Sequence, residues 1–168
     1  RFAVPLVDTF ALEAARLVAR HLRQAIAQGT DEEARYGMSL ASLLGGLCLR
    51  SVNTAAVHAL AYPLGGRFHV PHGVANSLLL PHVMQFNALV TASRYQRIAE
   101  VMGSSDAVAA VVELSQAVGT NRRMREFGVQ EHQLPEMAAA AMQVQRLLKN
   151  TPREMTESDA LAIYQEAW

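Results

Sequence analysis

Val57-His58-Ala59-Leu60-Ala61-Tyr62-Pro63-Leu64-Gly65-Gly66 continues through Arg67-Phe68-His69-Val70-Pro71 to His72-Gly73-Val74-Ala75-Asn76. The stretch predicts the end of one helix, a stop at Pro63 and Gly65-Gly66, and a new helix with Pro71 in its first turn. It holds three of the six histidines, and His58 and His72 bracket the Pro-Leu-Gly-Gly segment. A histidine near one helix end can thereby face a histidine at the next helix start. Imidazole is the commonest nitrogen ligand of a catalytic divalent metal, so the pair reads as half of a metal site.

On both sides of this hinge the apolar spacing is helical. Phe10, Ala11, Ala14, Leu17, Val18, His21, Leu22 and Ala25 recur every three or four residues, with Gly29 placed to end that helix. Thr30 and Glu33 make a capping-box pattern for a second helix. That helix is apolar on nearly every side from Met38 to Cys48, and its small residues, Gly45 and Gly46 among them, allow close packing. It is expected to be the central, buried helix. After Pro71, Val74, Leu78, Leu79, Leu80, Val83, Met84 and Phe86 predict a further helix that Pro81 should bend or split. More helices are expected over 93–102, 106–118, 134–148 and 158–167, with Gly103, Gly119 and Gly128 as stops and Thr156 with Asp159 as a cap. No period-two strand emerges. The expected fold class is all-α, a multi-helix bundle of one domain.

The totals agree. A chain of 168 residues, 51% hydrophobic, can bury a sizeable core. Formal net charge is zero, so no nucleic-acid or anionic-membrane partner is expected. A single cysteine, Cys48, fits a core side chain in a reducing, cytoplasmic setting. The apolar run 38–49 is too short to span a bilayer. Because the chain opens on Arg1, it is read as a fragment.

Two neutral histidines alone hold a transition metal weakly. A helical Asp or Glu four residues before a histidine would share its face. Leu17, Thr54, Gly65, Phe68, Leu78 and Gly128 occupy those places instead. From the residues alone, the structural reading is the stronger: His58 as a hydrogen-bonded core residue, His72 as a helix-end residue and His69 as a solvated turn residue.

The run from Ala55 to Gly66, with Pro71-His72-Gly73-Val74-Ala75-Asn76, Leu78-Leu79-Leu80-Pro81 and Phe86-Asn87, resembles the C-terminal helical domain of the iron-containing (group III) alcohol dehydrogenases. The dehydroquinate-synthase-like proteins share that architecture. Flanking segments extend the resemblance over essentially the whole chain: Pro5-Leu6-Val7-Asp8, Ala11-Leu12-Glu13-Ala14, Tyr95, Ile98-Ala99, Met102-Gly103, Asn150-Thr151-Pro152-Arg153 and Ile163-Tyr164.

The resemblance implies that residues 1–168 form a single all-α C-terminal domain of a two-domain oxidoreductase. The upstream α/β domain, which binds NAD or NADP, is absent from this chain. It implies a divalent metal, Fe2+ foremost and Zn2+ as the alternative, held by an aspartate and three histidines. His58 and His72 match two of the ligands; the other two lie upstream of what is present. The metal polarises an alcohol or carbonyl oxygen, and the nicotinamide gives or takes the hydride.

Tyr62 stands where many members carry a further histidine suspected of proton transfer or nucleotide contact, although a phenol titrates much higher than imidazole. Tyr62 and His69 are the candidate catalytic residues, His69 as part of the substrate pocket. Phe68 is expected in the pocket wall and Asn76 in helix packing. The implied parent acts on a small alcohol or aldehyde and forms a homo-oligomer. The competing readings are a catalytically inactive helical binding or oligomerisation fragment and a zinc polyol dehydrogenase relative.

Overall fold

A computed structural model describes residues 4–168, and the described residues are helical with no strand. The order is α1 (Pro5–Ala27), α2 (Glu32–Val52), α3 (Ala56–Phe68), α4 (His72–Met102), α5 (Ala107–Ala117), two 3-10 turns (Met124–Phe127 and Glu131–Gln133), α6 (Leu134–Met142), α7 (Gln145–Leu148) and α8 (Glu157–Ala167). The all-α expectation is met. Arg1, on which the fragment reading rests, lies outside the described residues.

The chain forms two compact units, 1–53 with 91–118, and 54–90 with 119–168. In the first, α1 packs along α2 and also touches α5. Pro5 opens α1 where its missing N–H is harmless. Asp8, in the first turn, is bridged by Arg94 and Arg97. The α2 cap differs from expectation: Asp31, not Thr30, accepts the Ala34 N–H at 2.9 Å. A carboxylate there also faces the positive end of the helix dipole. Nor is α2 wrapped in protein on every side. Ala34, Gly37, Ala41 and Cys48 are buried, whereas Tyr36, Leu43, Leu47 and Leu49 are exposed. A Cβ at Gly45 or Gly46 would have nothing within 4 Å, so neither glycine serves close packing here. The close approach is at Gly37, whose Cα faces the His21 ring.

The second unit carries the larger core. Leu60 and Leu64 of α3, Leu78, Leu79 and Val83 of α4, Met137 and Ala141 of α6, Leu147 of α7 and Ile163 and Tyr164 of α8 are all buried. The expected stop at Pro63 and Gly65-Gly66 does not occur; α3 continues to Phe68. Proline inside a helix loses one backbone bond, but Pro63 lies between Leu60 and Leu64 on a face buried in this core. Burial of those side chains outweighs the lost bond.

The helix ends one turn later at His69, in the left-handed conformation (φ 53°, ψ 27°). The Leu64 carbonyl accepts both the His69 and the Val70 N–H, and the Val70 side chain is buried. Pro71 stands just outside α4, its carbonyl accepting the Ala75 N–H at 2.9 Å. Pro81 leaves α4 helical; the break falls at Thr91 (φ −128°, ψ 15°). The helix expected over 134–148 divides into α6 and α7. Gly103, Gly119 and Gly128 do terminate their elements, each with φ between 74° and 85°. Among the described residues, no single helix is long and apolar enough to cross a membrane.

Candidate metal centre

Residues far away in sequence fix where α3 begins. The Ala56 N–H, an orphan donor of the first turn, donates to Thr151 Oγ1 at 3.2 Å. Asn150 Nδ2 donates to the Thr54 carbonyl at 2.8 Å. The Asn150-Thr151 pair therefore anchors the helix start two residues before His58. Tyr164, fully buried, donates its hydroxyl proton to the Leu60 carbonyl at 2.6 Å and pins the next turn. Burial pushes the Tyr164 phenol far above its ordinary range, so it remains a neutral donor. On α4, Arg153 donates to the Phe86 carbonyl at 3.1 Å and covers the Phe86 ring 4.0 Å from its centre.

Between these anchors lie the two histidines. His58, half-buried on α3, and His72, exposed at the start of α4, have ring centres 5.2 Å apart and planes tilted by 56°. Two imidazoles bound through nitrogen to one tetrahedral ion, at about 2.0–2.1 Å each, also hold their ring centres roughly 5 Å apart. The spacing therefore fits a shared ion, and the tilt is incompatible with parallel ring stacking. Burial, and then the charge of His72, hold the His58 pKa below the ordinary histidine value. A neutral imidazole keeps the lone pair that a metal requires.

No group of three or more His, Cys, Asp or Glu side chains able to hold a metal occurs among the described residues. The pair supplies two nitrogen donors. Tyr62 is exposed on α3, four residues after His58 and so on the same helix face. His69 is exposed at the left-handed end of α3, where its backbone performs a capping task that the sequence reading did not foresee. Histidine is among the residues enriched in that conformation, which is the signal that could have revealed it.

Asn76 also does more than pack. Its Nδ2 donates to the His72 carbonyl at 2.9 Å and lies 3.1 and 3.3 Å from the two ring nitrogens. An asparagine four residues after a helical histidine was the available signal. The contribution of Asn150 and Thr151 was less legible, because pairing across 95 and 96 residues leaves no periodic trace.

Known proteins agree with this architecture. The Fe-containing alcohol dehydrogenase family, C-terminal, matches residues 1–168. A 1,3-propanediol dehydrogenase of Klebsiella pneumoniae is 39% identical, the match covering 99% of this chain and 46% of that protein. A lactaldehyde reductase of Escherichia coli (strain K12) is 36% identical over all of this chain and 46% of its own length. The crystal structure of a 1,3-propanediol oxidoreductase superposes with a TM-score of 0.96 at 38% identity, covering 100% of this chain and 47% of that one. The chain thus spans less than half the length of the relatives it matches. A match that runs the full length of the chain, on a fold superposing this closely, places it in the Fe-containing alcohol dehydrogenase family, as a C-terminal helical region.

Proposed function

We propose that this chain is the metal-binding, C-terminal part of an NAD(P)-dependent alcohol dehydrogenase or aldehyde reductase, with His58 and His72 as two ligands of one divalent ion. The observation that carries the reading is the 5.2 Å separation of the two rings, in a chain of this family. Fe2+ is the metal the family description favours, and Zn2+ suits the same imidazole donors. Bound there, the ion supplies Lewis acidity to an alcohol or carbonyl oxygen, and the nicotinamide supplies or takes the hydride.

The chain's own residues hold and orient. Thr151 and Asn150 fix the start of α3, and Tyr164 fixes its next turn. His58 presents a neutral ring towards His72. Tyr62, on the same face as His58, is the group for passing the hydroxyl proton, and His69 borders the approach of substrate. Small alcohols and aldehydes are the substrate class, supported by relatives named for propanediol and lactaldehyde. We place the parent in the cytoplasm as a homo-oligomer, a reading supported by a sequence with one cysteine, the buried Cys48, and no pair to form an internal disulfide.

A second reading concerns the chain by itself. Tyr36, Leu43 and Leu47 are exposed at helical spacing on α2, a surface suited to a partner helix, and by this reading the chain alone is a binding or oligomerisation module. The two separate in one experiment on the full-length protein. His58→Ala should remove both metal retention and hydride transfer, and Tyr62→Phe should lower kcat with metal retained. Undiminished activity in His58→Ala would sink the dehydrogenase assignment.

A further inference from the structure

We propose that Asn76 is a positioning residue that seats the His72 imidazole for metal ligation. The inference rests on the reading of His72 as a ligand. Asn76 lies one helical turn after His72 on α4, half-buried. Its Nδ2 stands at nearly equal distances, 3.1 and 3.3 Å, from the two ring nitrogens of His72. The lone-pair directions of those nitrogens diverge in the ring plane. A donor aligned with one would be far from the other, so near-equality excludes an ordinary hydrogen bond to either.

The amide instead braces the ring while leaving a nitrogen lone pair available to a cation. The same Nδ2 donates to the His72 carbonyl at 2.9 Å, which ties the brace to the helix backbone. That orientation turns Asn76 Oδ1 inward, where it is buried without a hydrogen-bond partner among the described residues. Reversing the amide would put its oxygen against the His72 carbonyl oxygen, so the bond to the backbone holds the amide this way round. A ligating histidine whose ring is braced by a neighbour needs less ordering when the ion arrives.

Co2+ titration of the chain tests this, read by binding isotherm and by the visible d–d bands. Asn76→Ala removes the amide entirely. Asn76→Ser keeps a short donor able to reach the carbonyl one turn back but cannot reach the ring. Both variants should bind Co2+ about tenfold more weakly or worse, with shifted d–d bands and helix content by circular dichroism unchanged. Serine also serves as the informative variant should alanine disturb the helix. Wild-type affinity and spectrum in Asn76→Ser overturn the positioning role, because the backbone bond alone then suffices. Equal Co2+ binding by wild type and His72→Ala overturns the ligand reading beneath it instead.

Discussion

An alanine methyl at Gly37 would lie 2.6 Å from His21 Cγ and 2.8 Å from His21 Nε2. His21 is itself buried between α1 and α2, so its ring cannot swing aside freely. Gly37→Ala should therefore destabilise the protein by about 1–3 kcal/mol, the usual range for overpacking. Chemical denaturation measures this; unchanged stability would show that the ring relaxes without penalty. His69 is the second residue whose backbone decides its substitutions. Its φ of 53° costs an ordinary L-residue roughly 1–2 kcal/mol and glycine almost nothing. His69→Gly should exceed His69→Ala in stability by about 1 kcal/mol, with thermal melting as the check. Equal melting would mean that α3 ends without the left-handed residue. The Gly37 contact was not legible in the sequence, because His21 and Gly37 meet across two helices, and His69 offered only the weak signal of histidine's tolerance for the left-handed region.

At the scale of elements, the start of α3 depends on one side-chain acceptor. Thr151→Val preserves shape but leaves the buried Ala56 N–H without its partner. The expected loss is about 1–3 kcal/mol, measured by urea unfolding, with weaker metal retention because His58 lies in the same first turns. The α8 cap behaves differently. Thr156 Oγ1 accepts the Asp159 N–H at 3.1 Å, while Asp159 accepts from the Thr156 N–H at 2.9 Å. Thr156→Ala should cost about 1 kcal/mol at neutral pH.

Hydrogen bonds from the Thr156 side chain and backbone hold the Asp159 pKa below its ordinary value, with Arg153 adding to them. A depressed carboxyl contributes stability above the unfolded value, near 3.9, and loses it as pH falls through the folded one. The effect of Thr156→Ala should accordingly shrink below about pH 4, a trend that thermal melts across pH can follow. An effect independent of pH would contradict it. The Thr156-Asp159 cap was readable because capping signals are local, as were the glycine stops. Pro63 and Pro81 misled for the complementary reason: local propensity argued for breaks, and burial of Leu60, Leu64, Leu78 and Leu79 kept the chain helical through both prolines.

For the whole molecule, helical periodicity carried the fold class, and two histidines across a hinge carried the proposed half-site. The sequence pattern placed that hinge several residues too early, yet the pair still meets, because α3 ends and α4 begins within the same short connection. The apolar breadth of α2 suggested burial on all sides; within this chain its outer stripe remains open. The long-range anchors from Asn150, Thr151 and Tyr164 became visible only in three dimensions, since side chains meeting across the fold obey no sequence period. If His58 and His72 form a two-nitrogen half-site, Zn2+ titration of the 168-residue chain should show one weak equivalent, lost in His58→Ala and equally in His72→Ala, with folding retained. Tight binding that survives both substitutions would contradict it.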